Sequence, residues 1–355
     1  MLKKKKIICT IGPSSLNPNI LNGLKDKKVD FFRINLSHTP EESIEEIILE
    51  LKKYGVPIII DTEGPQIRTG NNYEISLKQG KIIKIHNQRI LCDDNNLFLT
   101  PLDIIEKIRE GDIISPDFNS ALLNVRDVSP IKDKGYILCK VIADGKVGGK
   151  KSVHIENIND IKLPTFSNKD VKSANIAKKY DVNTFTLSFI DSKEDLIEFK
   201  EIYPESIFYA KIETKKAVDN LSDIIDFSNG ILIDRGDLSR EIPMEKIPLF
   251  QKYIIYKARE KGKDVFVATN TLEKMVYSLK PDRSEVNDIF NTLLDGATGI
   301  ALTKETAVGN YPLETVNMLL SIMNQVEYLE LDEYSTKKEL IDRILKKDYL
   351  NDGFI

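Results

Sequence analysis

Residues 207–213 read IFYAKIE, an apolar and aromatic run that ends in a lysine and a glutamate. The apolar part is typical of a buried strand. Lys211 and Glu213 are two residues apart, so both side chains lie on the same face of that strand. Two charges at the end of a core strand are unfavourable unless something there uses them. The pattern therefore predicts a strand whose end belongs to a functional site.

Seven further short apolar runs rich in Ile, Val and Phe recur along the chain. They are KKIICTIG (5–12), FFRINLS (31–37), PIIIDTEG (57–64), TFTLSFI (184–190), GILIDRGD (230–237), DVFVATN (264–270) and GIALTKE (299–305). Most are followed by an amphipathic segment in which apolar residues return every three or four positions. Eight strands that alternate with helices predict an α/β protein of the (β/α)8 TIM-barrel type. A doubly wound open sheet is the structural alternative.

The alternation is interrupted once, between the third and the fourth run. Residues 71–160 read as short strands separated by the turn signals QG, DDNN, DG and GG, which is typical of a small all-β module. An insertion of this size on a barrel loop predicts a lid over the active-site face. The predicted organisation is a first barrel part (1–70), an inserted β lid domain (71–160), a second barrel part (161–325) and a C-terminal helical tail (326–355).

Composition excludes several classes of protein. The formal net charge is −4 with basic residues spread along the chain, which gives no reason to expect a nucleic-acid partner. The three cysteines do not cluster with the three histidines, so neither zinc spacing nor a disulfide framework is present, as suits a reducing cytoplasm. The apolar run after the basic start is too short for a signal peptide, and no stretch is long enough to span a membrane. We therefore expect a cytoplasmic protein.

Polar side chains recur at the strand ends, where the chemistry of such barrels is located. Glu213 and Asp237 are hard oxygen donors suited to Mg²⁺ or Mn²⁺. Lys211 beside that metal can neutralise a transferring phosphoryl group or act on an enolate, and Arg33 supplies planar phosphate recognition. Oxygens for a second, weakly charged cation come from Asn35, Ser37, Asp61 and Thr62.

Each of these residues also has a purely structural explanation. A lone Arg or Asn at a strand end is usually a solvated loop residue. Lys211 and Glu213 can form a simple surface ion pair, worth about 0–1 kcal/mol. Repetition of the same pattern on six strand ends favours a site.

A series of motifs follows along the chain in a recognisable order. They are ICTIGPSS (8–15), RINLSH (33–38), DTEGPQIRTG (61–70), AKIE (210–213), DRGDLSREIP (234–243), ATNTLEKM (268–275), PDRSEVNDIFN (281–291) and ETAVGNYPLETV (305–316). In this order they resemble the signature segments of the pyruvate kinase family. GKVGGKKSVHIEN (145–157) and LPTFSNKD (163–170) resemble that family's mobile lid domain and its return to the barrel. The similarity extends from residue 5 to about 325.

The resemblance implies transfer of the phosphoryl group of phosphoenolpyruvate to ADP, giving pyruvate and ATP in glycolysis. Arg33 and Lys211 would stabilise the transferring group, and Glu213 with Asp237 would bind the divalent metal, Mg²⁺ or Mn²⁺. Gly236, the Asp237 amide and Thr269 would hold the substrate carboxylate, and Thr269 with a bound water would serve protonation of enolpyruvate.

The resemblance also implies further binding sites and an assembly. Potassium would be held by Asn35, Ser37, Asp61 and Thr62. The nucleotide would lie near Pro13, His38, Arg68, Lys150 and Lys151. Because the family's C-terminal regulatory domain has no counterpart here, the resemblance implies a homodimer formed through the barrel, with a homotetramer as the alternative.

Several positions depart from the family pattern. Glu63 stands where the family usually has Lys, and Gln66 stands at a position tied to potassium dependence. Asp234 replaces the Ala before the RGD and adds a negative charge near the metal. Lys304 replaces Gly and Val308 replaces Lys, which alters the nucleotide side.

These departures leave two other functions open besides that of a kinase. One is a metal-dependent enolpyruvate or pyruvate enzyme of lyase or aldolase type that no longer uses nucleotide, since a barrel does not fix a function. The other is a non-catalytic protein that binds phosphoenolpyruvate or an acidic partner, for which an intact set of Lys211, Glu213 and Asp237 is unnecessary.

Overall fold

The computed structural model describes residues 4–116, 120–156 and 163–331, with side chains as far as residue 327. Eight parallel strands close into a barrel in the order β1-β8-β7-β6-β5-β4-β3-β2. They are β1 (Lys6–Thr10), β2 (Phe31–Asn35), β3 (Ile58–Asp61), β4 (Thr184–Leu187), β5 (Ile207–Ile212), β6 (Gly230–Asp234), β7 (Asp264–Ala268) and β8 (Gly299–Leu302). The predicted TIM barrel is confirmed, and the open sheet is excluded.

The barrel strands are short and almost wholly buried, because helices cover one face and side chains fill the interior. The interior contains Ile8, Ile59, Tyr209, Leu232, Phe266, Ala268 and Ala301. The register pairs Asn35 of β2 with Asp61 of β3, and Asp61 with Thr186 of β4. It thereby brings polar residues from three strand ends to one level of the barrel.

Helices and single turns connect the barrel strands. The α-helices are Pro18–Asp26, Ile44–Lys52, Asn168–Lys179, Lys193–Ile202, Lys215–Asp219, Leu221–Phe227, Arg235–Leu238, Ile247–Glu260, Arg283–Leu294, Lys304–Ala307 and Pro312–Leu331. The 3₁₀ turns are Leu36–His38, Glu41–Ser43, Met244–Lys246 and Glu273–Val276. Helix starts carry the expected caps: the Asn17 side chain accepts the Ile20 N–H, and Asp282 with Glu285 forms a capping box.

The chain divides into two compact units, one of residues up to 61 and from 173 on, the other of residues 62–172. In the second unit a seven-stranded sheet lies beside a two-stranded one, around a core that includes Ile83, Leu123 and Val141. Its strands are Arg68–Thr69, Ile75–Leu77, Ile82–His86, Asn96–Thr100, Ile113–Pro116, Leu122–Asp127, Tyr136–Ala143, Gly145–Val147 and Val153–Ile155, with helical turns Leu102–Lys107 and Ile131–Lys134.

This second unit contains the segment predicted as an insertion and extends beyond it on both sides. The boundaries near residues 70 and 160 stay a prediction. Of the predicted C-terminal tail (326–355), residues 332–355 lie outside the described residues. Within the described part of the chain, no helix is both long enough and apolar enough to cross a membrane.

Candidate active site

Lys211 lies at the end of β5 and is surrounded by carboxylates. Its Nζ is 2.7 Å from Oε1 of Glu213, 3.3 Å from Oδ2 of Asp234 and 3.6 Å from Oδ1 of Asp61. The same ammonium donates a 3.0 Å hydrogen bond to Oγ of Ser188. Only 4% of Lys211 is exposed, so these charges interact with little screening by solvent. One buried ammonium therefore faces three buried carboxylates.

This imbalance of charge determines how the cluster titrates. Burial by itself lowers the pKa of Lys211, but Asp61, Glu213 and Asp234 outweigh it and raise that pKa well above its usual value. Burial raises the pKa of Glu213 to about 8; Lys211 opposes this rise, while Asp237 and Asp234 add to it. Burial opposes ionisation of Asp234, yet Lys211 and the Thr269 hydroxyl lower its pKa. The lysine is therefore always charged, and Glu213 is the carboxylate that most readily keeps a proton.

Arg33 of β2 lies in the same buried cluster. Its Nη1 donates a 2.7 Å hydrogen bond to Oγ1 of Thr10, and its Nη2 pairs with Oδ2 of Asp61. Thr186 also donates to Asp61, through Oδ1. The Arg33 Nε–H is buried and has no hydrogen-bond partner among the described residues. A buried hydrogen-bond donor without an acceptor is unfavourable unless a ligand supplies the acceptor.

Three acidic residues can hold a metal ion. Oxygens of Glu213, Asp234 and Asp237 lie within 4.8 Å of one another. Oε2 of Glu213 accepts the Phe189 N–H at 2.7 Å, whereas Oε1, although close to the Lys211 ammonium, makes no well-aligned hydrogen bond within the described chain. Burial and the nearby Asp234 raise the pKa of Asp237, and Arg240 at 3.1 Å opposes this rise. A buried group of hard oxygen donors such as this one fits a divalent cation such as Mg²⁺ or Mn²⁺.

Thr269, at the end of β7, is held by the last residue of β6 and the two residues that follow it. Its Oγ1 donates a 2.6 Å hydrogen bond to Oδ1 of Asp234. Its carbonyl accepts from Nε and Nη2 of Arg235, at 3.1 and 2.8 Å. A Cβ on Gly236 would lie 2.9 Å from the Thr269 Cγ2, so only glycine fits there without a shift. Thr269 has φ +70°, a strained value for a β-branched residue and a frequent mark of functional sites.

Comparisons with known proteins identify the family of this chain. Residues 2–316 match the family described as "Pyruvate kinase, barrel domain". The chain belongs to the pyruvate kinase family.

Relatives that carry the name pyruvate kinase come from distant organisms. The protein of Thermotoga maritima is 34% identical over 94% of this chain and 74% of its own length. That of Dictyostelium discoideum is 32% identical over 92% and 67%, and that of Bacillus licheniformis is 33% identical over 92% and 57%. The chain thus spans between 57% and 74% of the length of these three pyruvate kinases.

Two of the residues that the pyruvate kinase resemblance links to potassium, Asn35 and Asp61, lie side by side on neighbouring strands. Oδ1 of Asn35 accepts the Ser37 N–H at 3.0 Å and so caps the turn Leu36–His38. Both oxygens of Asp61 are contacted, by Arg33 on one side and by Thr186 and Lys211 on the other. Thr62 is buried.

The residues that the resemblance links to the nucleotide belong to both units. Pro13 and His38, in the barrel unit, are exposed. In the second unit, Arg68 donates a 3.1 Å hydrogen bond from Nη1 to the carbonyl of Lys150, which has φ +54°. Lys151 is exposed, and its backbone N–H donates to Oγ1 of Thr69 at 2.9 Å.

Sequence reasoning about the pyruvate kinase motifs missed several contributors to the site. Thr186 and Ser188 end β4 at two-residue spacing, the same signal that identified Lys211 and Glu213, yet they were not selected. Asp234 was recognised only as an added negative charge, not as the acceptor for Thr269.

Glu305 was also not selected, although it joins the ends of β7 and β8. It is buried and accepts hydrogen bonds from Thr271 Oγ1, Leu272 N, Thr303 N and Thr303 Oγ1. It therefore stabilises the loop that carries Thr269 without belonging to the acidic metal-binding group.

Gly236→Ala tests how tightly Thr269 is held. The new Cβ would press on a threonine fixed through its hydroxyl and its carbonyl, and we expect a loss of about 1–3 kcal/mol of stability from overpacking. Since displacement of a reacting group by about 1 Å can lower rates about 100-fold, we expect turnover to fall between tenfold and 100-fold. Thermal unfolding and kcat should be measured together.

A matched control for this variant is Gly262→Ala. Gly262 has φ +68° and nothing lies within 4 Å of the place that a Cβ would occupy, so alanine strains only the backbone of a remote turn. This variant should lose stability and keep the turnover of each folded molecule. Equal loss of turnover in both variants would contradict the role of Gly236.

Proposed function

We propose that the chain is a phosphotransferase that moves the phosphoryl group of phosphoenolpyruvate to ADP, giving pyruvate and ATP. The observation that carries the proposal is a buried ammonium and guanidinium beside an acidic metal-binding group. The Arg33 Nε–H and the Glu213 Oε1 both lack well-aligned hydrogen-bond partners within the described residues, one a donor and the other an acceptor. An anionic substrate and a cation would satisfy them together.

Lys211 and Arg33 act on the phosphoryl group in this proposal. Both are buried cations fixed by contacts with Asp61, and neither needs to reorganise as negative charge develops on the transferring group. Gly236 and the Asp237 amide bind the substrate carboxylate, with Thr269 beside them. Thr269 also positions the water that protonates enolpyruvate.

The divalent cation in this proposal is Mg²⁺ or Mn²⁺, held by Glu213 and Asp237. Asp234 is not counted as a ligand, because the family motif that supplies this assignment has Ala at its position; its two oxygens contact Thr269 and Lys211. When bound, such a cation polarises phosphoryl oxygens and offsets their negative charge.

Potassium is proposed as the second cation, at Asn35, Ser37, Asp61 and Thr62. The contacts of Arg33, Thr186 and Lys211 with Asp61 leave that carboxylate little free capacity, and Gln66 is neutral. Comparing rates in potassium chloride and in tetramethylammonium chloride tests this assignment. A higher rate in potassium supports it, and equal rates reduce these four residues to a structural role.

The nucleotide is proposed to contact Pro13, His38, Arg68, Lys150 and Lys151. In this chain Lys304 pairs with Glu273 at 3.5 Å, and Val308 is half exposed where the family has Lys. These two positions favour the second candidate, a metal-dependent enolpyruvate or pyruvate enzyme of lyase or aldolase type without a nucleotide substrate.

One experiment separates the two candidates. The purified protein is mixed with phosphoenolpyruvate, ADP and Mg²⁺, and pyruvate and ATP are followed together. Equal amounts of both products support the kinase. Intact phosphoenolpyruvate with no ATP would contradict it, and metal-dependent exchange of pyruvate methyl hydrogens without nucleotide would then support the second candidate.

Binding of the divalent cation should depend on pH. Without metal, Glu213 has a pKa of about 8 and holds a proton below that pH, which a cation must displace. The apparent Mn²⁺ affinity should therefore rise about tenfold per pH unit towards about pH 8 and level off above it. Titration of Mn²⁺ by electron paramagnetic resonance measures this, and an affinity independent of pH would contradict it.

The same pKa predicts the stability of the metal-free protein. The folded-state pKa of Glu213, about 8, lies above its ordinary value of 4.5, so the folded protein binds an extra proton between these values. This contribution is fully present below about pH 4.5 and is lost as the pH rises through about 8. Thermal unfolding in a chelator should show this decline, and Glu213→Gln should remove it.

The proposed assembly is a homodimer formed through the barrel, and the proposed location is the cytoplasm. Supporting the dimer, helix Ile247–Glu260 exposes Leu249, Tyr253 and Tyr256 at helical spacing on one face. Light scattering after size exclusion would give the mass in solution, and a monomer would contradict the proposal.

A further inference from the structure

The direction of the Thr269 hydroxyl is determined by one neighbour. A threonine hydroxyl has a single hydrogen, and here that hydrogen is donated to Oδ1 of Asp234 at 2.6 Å. The other oxygen of Asp234 lies 3.3 Å from Nζ of Lys211, which favours the ionised carboxylate, a group that only accepts hydrogen bonds. Towards the rest of the site, Oγ1 of Thr269 therefore offers lone pairs and no hydrogen.

The remainder of Thr269 is held independently of Asp234. Two nitrogens of Arg235 bind its carbonyl, and Arg235 is itself fixed by Asp288 at 2.6 Å. The Cγ2 methyl lies against the bare Cα of Gly236. Asp234 therefore controls the direction of the hydroxyl hydrogen and not the position of the residue.

We propose that Asp234 is a positioning residue that makes the Thr269 hydroxyl a hydrogen-bond acceptor in the proton-transfer step. This inference rests on the proposed function and assigns a role to a residue that the family pattern does not supply. An accepting Oγ1 cannot donate to the carboxylate of phosphoenolpyruvate. It can hold a water molecule by one O–H bond and leave the other directed at the substrate.

The proton balance of that step is simple. The water gives a proton to the methylene carbon of the pyruvate enolate: its O–H bond breaks, the C–H bond forms, and the enolate oxygen becomes the ketone. The resulting hydroxide takes up a proton from bulk solvent. In the reverse direction a methyl hydrogen of pyruvate passes to solvent, so exchange of the methyl group with D₂O reports this step alone.

Two variants test the acceptor at position 234. Asp234→Ala removes it, and Asp234→Asn replaces it by a donor, because the single amide oxygen turns to the Lys211 ammonium and the NH2 group then faces Oγ1 of Thr269. Exchange of pyruvate methyl hydrogens in D₂O is followed by proton NMR with Mg²⁺ and ATP, and ATP formation is measured on the same preparations. We expect exchange to fall about tenfold or more in both Asp234 variants. Both variants should lower KM for phosphoenolpyruvate, because both remove a negative charge near an anionic substrate.

The matched control is Asp264→Asn. Asp264 is a partly buried carboxylate at the opposite end of β7 from Thr269, paired with Lys6 at 2.7 Å. Its removal should leave exchange unchanged. Thermal unfolding of all variants identifies the folded fraction, and rates are expressed per folded molecule.

A double-mutant cycle tests whether Asp234 acts through Thr269. In a Thr269→Ala background the hydroxyl is gone, so adding Asp234→Ala should cause no further loss of exchange. Additive losses would overturn the proposal. Unchanged exchange in either Asp234 variant would overturn it as well.

Two further outcomes keep this inference distinct from the proposed function. If the wild-type protein exchanges the methyl hydrogens but forms no ATP, the kinase proposal fails while the expected pattern of variants still supports Asp234. If it forms ATP without exchange, the role of Asp234 is overturned and the kinase proposal stands. A loss of Mn²⁺ affinity in Asp234→Asn as large as that in Glu213→Gln would make Asp234 a metal ligand and overturn the positioning role.

Discussion

Lys211→Met should abolish ATP formation and destabilise the metal-free protein. Loss of a fixed cation at a transferring phosphoryl group typically lowers rates by about 10³-fold or more. The substitution also leaves Glu213 and Asp234 buried without their shared counterion, while Asp61 keeps Arg33 as its partner. Breaking a buried ion pair by removing one partner costs about 3–5 kcal/mol, so the melting temperature in a chelator should fall clearly. Mg²⁺ or Mn²⁺ should recover part of that stability, because a divalent cation can neutralise the same carboxylates.

This expectation differs from the simple view that Lys211 serves catalysis and leaves the fold untouched. A coupled assay for ATP and thermal unfolding with and without Mg²⁺ measure both effects. The control is Lys257→Met, on the surface of helix Ile247–Glu260, where Lys257 pairs with Glu260 one turn further along. It should change neither quantity. Turnover of Lys211→Met within tenfold of the wild-type rate would exclude Lys211 from the chemistry.

Glu213→Gln should abolish metal-dependent activity and leave the metal-free protein as stable as before or more so. Glutamine keeps an oxygen for the Phe189 N–H but loses the charge that a divalent cation needs. Mutation of a residue that only supports a metal ligand typically lowers the metal affinity about 10–100-fold. Loss of a ligand itself should lower the affinity at least as much. Stability at neutral pH should not fall, since Glu213, with a pKa of about 8, is already largely protonated there and glutamine resembles that neutral form.

Mn²⁺ affinity, turnover at several metal concentrations and thermal unfolding in a chelator check this prediction. The matched control is Glu305→Gln, a second buried glutamate in the same barrel. Glutamine can no longer accept all four hydrogen bonds from the ends of β7 and β8, so this control should lose stability and keep its Mn²⁺ affinity. An unchanged Mn²⁺ affinity in Glu213→Gln would remove Glu213 from the metal site.

Strand positions and the barrel were predictable because they depend on local sequence. Runs such as IFYA and GILI are apolar throughout, as strands buried on both faces must be, and helical periodicity follows most of them. The number of such repeats was enough to predict a closed barrel. The two-residue spacing of Lys211 and Glu213 also predicted a shared face, since successive side chains of a strand alternate.

The connections among the charges were not predictable in this way. Asp61 and Lys211 are 150 positions apart in the sequence, and the closure of the barrel brings them within 3.6 Å. The sequence suggested Asp61 as an oxygen donor for a cation. Only the fold shows it already paired with Arg33 and accepting from Thr186, because the register of β2, β3 and β4 places these residues side by side.

The sequence by itself therefore determined the barrel, the strand ends and the set of ionisable groups, because hydrophobic periodicity and alternation are properties of neighbouring residues. Tertiary structure alone decided which charges share a counterion and which hydrogen-bonding groups are already in use. Asp234 and Thr269 illustrate the difference: each stands at the end of its own strand, and their hydrogen bond exists only because β6 and β7 pair in parallel register. Burial of that pair beside Lys211 then gives the contact its strength.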